Sequence, residues 1–129
     1  MKMLTEQRRK ALTQKASKLE VTEGLKGFTE KAQILGEKLQ GVVSEIEFST
    51  ATYKNPFSVE MTQIRGKYII AVDVFDYKTK NYTASFEYCA DSSVEVTPIN
   101  EGSQVVPLDE VTDEMMNDWV KAIQQHYAN

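Results

Sequence analysis

The sequence predicts an α+β domain: N-terminal helical segments, a four- to five-stranded antiparallel meander sheet, and a C-terminal helix packed on the sheet. Three observations lead there. Apolar residues recur at spacings of three and four through residue 40, at a spacing of two from Val42 to Thr97, and at helical spacing again after Val111. The segments of period two are separated by short polar turns, which suits hairpins rather than crossovers. The chain of 129 residues is the length of one domain, so 1–129 is read as a single unit.

The first segment, about residues 3 to 19, is rich in Ala, Leu, Gln, Lys and Arg and lacks Gly and Pro. Its apolar stripe is thin: Leu4, Ala11, Leu12, Ala16 and Leu19. Residues 1–20 are therefore expected to form a basic helix only loosely attached to the rest. Between residues 21 and 40, Val21, Leu25, Phe28, Ala32, Leu35 and Leu39 form a heptad-like seam. That seam suits a helix on its own sheet, with a dimerising hairpin as the alternative. Gly24 marks a possible break, and Gly41 reads as a stop signal.

Strand readings follow. Val42 to Tyr53 alternates, with Val42, Ile46 and Phe48 opposite Glu45 and Glu47. A turn at Lys54–Pro56 leads to Phe57, Val59 and Met61, and "RGK" at 65–67 is a second turn. Tyr68 to Phe75 is apolar on both sides, as a central strand would be. "DYKTKN" closes a hairpin into Tyr82–Cys89, and Val94 and Val96 belong to a last strand that Pro98 ends. The C-terminal helix starts with Thr112 as N-cap and Asp113 and Glu114 in its first turn. Its stripe is Val111, Met115, Trp119, Ala122 and His126, widened by Met116, Ile123 and Tyr127.

Catalytic chemistry finds little footing. The one histidine is His126, near the chain end, and the one cysteine is Cys89, without a partner for a disulfide or a metal site. No phosphate loop, dinucleotide fingerprint or calcium loop occurs. No apolar run approaches a membrane span. The expected protein is non-enzymatic, cytoplasmic, without cofactor or metal, and without membrane contact.

Charge carries the functional signal. Residues 1–40 hold nine Lys or Arg against five Glu, whereas residues 41–129 hold six against fourteen acidic side chains. Strict alternation gathers Glu45, Glu47, Glu60, Asp73, Glu87 and Glu95 on one sheet face, with Ser85, Thr83 and Thr97 between them and no cation in a strand position. Like charges on one sheet repel. Three occupants of that face are open: solvent, a basic partner surface, or the chain's own Arg8, Arg9, Lys10, Lys15 and Lys18. The expected function is a small protein-binding module (an inhibitor, adaptor or accessory factor of the kind phages and mobile elements encode) whose acidic face contacts a protein with a basic surface. Tyr53, Tyr77 and Tyr82 are candidate rim anchors. Two alternatives stand beside it. One is a nucleic-acid-associated protein using the five basic residues of the first helix, a weaker reading given a pI near 5.1 and no aromatic residue among them. The other is a dimeric chaperone of secreted or assembling proteins; monomer and homodimer both stay open for the protein-binding reading.

Overall fold

The computed structural model describes residues 2–49, 56–99 and 101–128. Two helices, α1 (Lys2–Lys18) and α2 (Glu23–Ser49), precede five strands: β1 (Phe57–Ile64), β2 (Tyr68–Asp76), β3 (Asn81–Cys89), β4 (Ser93–Thr97) and β5 (Gln104–Pro107). A single 3-10 turn (Leu108–Glu110) leads into α3 (Asp113–Ala128). The strands form one antiparallel sheet in chain order, an α+β meander as the sequence predicts.

Alternation assigns the two sheet faces. Val72 pairs with Met61 and Phe86, and Phe86 pairs with Val96, so these residues share one face. That face meets α2 through Leu25, Phe28, Ala32, Leu35 and Leu39, all buried. It meets α3 through Trp119, whose ring lies edge-on to Phe86, and Tyr127, which stacks on Phe57. Thr22 caps α2 by accepting a hydrogen bond from the Leu25 amide, and Thr112 does the same for the Met115 amide in α3. Thr29 ties α2 to the sheet: its hydroxyl donates to the Leu25 carbonyl and accepts from the Ile69 amide. Gly24 allows the close approach of α2 to the β3–β4 turn. A Cβ there would lie 2.7 Å from the Tyr88 hydroxyl and closer still to that of Ser92.

The structure corrects the sequence reading at one long segment. Val42–Ser49 is not a strand but the end of α2. Val42 and Val43 are buried, continuing the three-and-four spacing from Leu35 and Leu39, and Gly41 faces open space inside the helix instead of ending it. Glu45 and Glu47 therefore belong to α2 and not to the sheet. The fifth strand is supplied instead by Gln104–Pro107. The buried line of α3 runs through Met116, Trp119, Val120 and Ile123, with Val111 buried just ahead of the helix, while His126 is exposed. Tyr53 and the turn residues Lys54 and Asn55 lie outside the described residues.

Candidate functional site: an acidic sheet face under a basic helix

The second sheet face takes its residues from the opposite parity. Glu60 pairs with Asp73, Asp73 with Ser85, Ala71 with Glu87, and Glu87 with Glu95. Four of the six predicted carboxylates thus share a face: Glu60, Asp73, Glu87 and Glu95. Two bulges, at Thr62/Gln63 and at Val74/Phe75, fall outside this block and leave its register intact.

The second bulge has a local effect that alternation misses. It pairs Phe75 with Tyr82 and leaves Thr83 without a cross-strand partner. Tyr82 thereby joins the acidic face, and its hydroxyl donates to Glu60 Oε1 at 2.7 Å. Thr83 turns to the other side, where its hydroxyl lies 3.4 Å from that of Tyr127 on α3. The sequence reading had placed Thr83 among the polar residues of the acidic face; the extra residue in β3 reverses that parity.

Helix α1 lies across this face. Arg8 forks between two strands, with Nη2 donating to Asp73 Oδ1 at 2.7 Å and Nη1 to Glu87 Oε1 at 2.5 Å. Lys15 donates to Glu87 Oε2 at 2.5 Å. Arg9 reaches Tyr82 Oη at 3.3 Å and Glu60 Oε2 at 3.5 Å. Arg8 and Lys15 are seven residues apart, about two helical turns, so one face of α1 presents both. Leu12 sits between them and Leu19 beyond; both are buried, with Ala16 half-buried alongside. Ala71, fully buried beside Asp73 in β2, keeps the sheet low under the helix.

Burial sets the electrostatics. Asp73 is 1% exposed. Removal from water pushes its carboxyl up to about 6, against the pull of Arg8, and the charges of Glu87 and Glu60 act in the same direction as burial. Burial also works to raise Glu87, but hydrogen bonds from Lys15 and Arg8 outweigh it and hold that carboxyl below the ordinary range. Tyr82 is raised by burial and by its bond to Glu60, with Arg9 opposing. Three carboxylates and three cations therefore form two neighbouring groups of unequal depth. Asp73–Arg8–Glu87–Lys15 is largely covered, whereas the Arg9–Glu60 pair, with Arg9 62% exposed, is a loose surface contact.

The remaining sequence candidates fall elsewhere. Lys10 and Lys18 are exposed and make no ion pair with a described residue. Glu95 is half-buried beside Glu87 and pairs with Val105 on the far side. Tyr77 is an exposed turn residue. Cys89 is half-buried in β3, with Sγ 4.0 Å from the Glu87 carbonyl. Two surface grooves of about 500 and 490 Å³ lie away from the network, beside Met61 and Gly36 and beside Gly24 and Ser92. The candidate site is thus a covered charged surface and not a cavity.

Comparison with family models, with curated proteins and with solved structures returns no match for this chain.

Proposed function

We propose that this chain is a non-enzymatic protein-binding module whose acidic sheet face takes a basic segment of a partner protein. One observation carries the reading. The strand residues Glu60, Asp73 and Glu87 are neutralised by cations that come from a single separate helix, not from the sheet that bears them. A carboxylate as deep as Asp73 costs several kcal/mol to desolvate unless it is paired. A sheet needing only to stay folded would place an apolar or neutral residue there, because well-packed apolar replacements of buried ion pairs are often neutral or stabilising. Retaining the charge makes sense for a surface that selects basic occupants.

The nucleic-acid alternative loses ground on the same geometry, since Arg8, Arg9 and Lys15 are directed at carboxylates. The chaperone alternative would draw on exposed apolar residues, and among the described residues the large ones (Ile34, Met61, Tyr77 and Val105) sit on α2, β1, the β2–β3 turn and β5.

The test is affinity capture with the full chain and with Glu60→Gln/Glu87→Gln, at low and at physiological salt. A partner recovered by the wild type, released by salt and absent with the double variant is the expected result. Identical recovery by both proteins would overturn the proposal.

A further inference from the structure

The acidic face is shaped for a helix, and α1 is its resident example. The contacts of α1 define a pattern: Arg at position 8, Leu at 12, Lys at 15, Ala at 16 and Leu at 19. The first four lie on one side of the helix and Leu19 follows directly after its last residue, with spacings of four, three, one and three. The arginine forks between β2 and β3, the lysine closes the second oxygen of Glu87, and the leucines fill the apolar ground between. Its neighbours Ala11, Thr13, Gln14 and Ser17 are exposed, and the hydroxyls of Thr13 and Ser17 bond back to their own helix.

We infer that the partner segment is an amphipathic helix carrying Arg and Lys two turns apart with leucines between and after them, and that it binds by replacing α1 on the sheet. This rests on the protein-binding reading above and names what that surface accepts. The four-residue connection 19–22 tethers α1 next to its site. A short tether holds a segment at an effective concentration of the order of millimolar. An incoming helix therefore meets a face that is free only a small fraction of the time, and its apparent affinity falls by that fraction. A partner must match the pattern well, or arrive when α1 has been drawn off.

The probe is a labelled synthetic peptide of residues 5–20, TEQRRKALTQKASKLE, titrated into the full chain. Two full-length variants release α1 by different routes: Ala11→Pro breaks the helix at an exposed position without altering charge, and Arg8→Gln/Lys15→Gln removes the grip with no break. Circular dichroism and a cooperative melt establish that each variant retains the sheet. The peptide is expected to bind either variant at least tenfold more tightly than it binds the wild type. Binding should weaken with salt, and it should vanish when Glu87→Lys is added to the chain or Arg8→Glu/Lys15→Glu to the peptide. Equal affinity for wild type and both folded variants, or no binding to either variant, would overturn the inference. The two proposals fail separately. Peptide failure alongside capture that depends on Glu60 and Glu87 removes the helical pattern but leaves the partner. Peptide binding alongside capture indifferent to those residues removes the partner and leaves a face that serves α1 alone.

Discussion

Asp73 and Glu87 sit under the same arginine yet respond oppositely to pH. Glu87 titrates below its ordinary 4.5, so the stability it contributes is present above that value and is lost as pH falls through its lower folded value. Asp73 moves the other way, from an ordinary 3.8 to about 6. The folded state then holds the extra proton across that interval, so the stability contributed by Asp73 is complete below 3.8 and is lost as pH rises through about 6. Asp73→Asn keeps the shape and leaves Arg8 its bond to Glu87. Urea unfolding of both proteins at intervals from pH 4 to 7.5 reads the difference. The variant should gain on the wild type by roughly 1–3 kcal/mol as pH rises across the window. A difference that stays constant with pH would mean that Asp73 is ionised throughout and better solvated than its depth implies. The sequence showed that Asp73 is acidic and which way its strand alternates. It could not show depth, which comes from α1 lying above and from Ala71 alongside. Nor could it place Tyr82, whose position follows from one extra residue in β3.

Helix α2 shows how a single residue type acquires opposite meanings within one element. Read from sequence, Gly24, Gly27 and Gly36 each weaken the helix by about 1 kcal/mol relative to Ala, and Gly41 marks its end. In the fold, Gly41 has nothing within 4 Å of its Cβ direction, whereas Gly24 faces the Tyr88 hydroxyl and Ser92. Gly41→Ala should therefore stabilise the protein by about 0.5–1 kcal/mol, and Gly24→Ala should destabilise it despite its better helix propensity. Thermal melts of the two variants decide this, and a melting temperature raised by both would mean that α2 does not press on the β3–β4 turn. Most elements were legible because their patterns were unambiguous: β2 and β3 through long alternation, α3 through Thr112 and the acidic turn after it. The end of α2 was not, because Val42, Ile46 and Phe48 against Glu45 and Glu47 satisfy a period of two. Leu39, Val42, Val43 and Ile46 satisfy a helix equally well, and the packing of Val42 and Val43 decides between them. Strand β5 escaped notice for the reverse reason. "QVVP" is four residues long with a proline at its end, too short to show a period, and its pairing with β4 defines it.

At the scale of the whole molecule, the charge asymmetry between the two parts of the chain becomes an internal match, and this governs how the protein meets a polyanion. The peptide of residues 5–20 carries five cations, all able to contact phosphates. In the folded chain Arg8 and Lys15 are committed beneath the helix, and Arg9 is shared with Glu60 and Tyr82. Lys10 and Lys18 remain outward, above a sheet whose own carboxylates repel a phosphate backbone. Each phosphate neutralised on duplex DNA contributes about 0.9 to the slope of log affinity against log salt. The free peptide should therefore bind duplex DNA with a slope of about −4.5, and the full chain weakly, with a slope of about −2. Fluorescence anisotropy across a salt series measures both. A full chain as steep and as tight as the peptide would mean that α1 leaves the sheet for DNA at little cost. The carboxylates of Asp73 and Glu87 would then be poor competitors for their own helix, and the case for a basic protein partner at that face would fall with them. A shallow slope for the full chain with Glu87→Lys restoring the steep one would instead locate the competition in the Arg8–Glu87–Lys15 contact, since reversing that single charge removes the carboxylate of Lys15 and one of the two that hold Arg8.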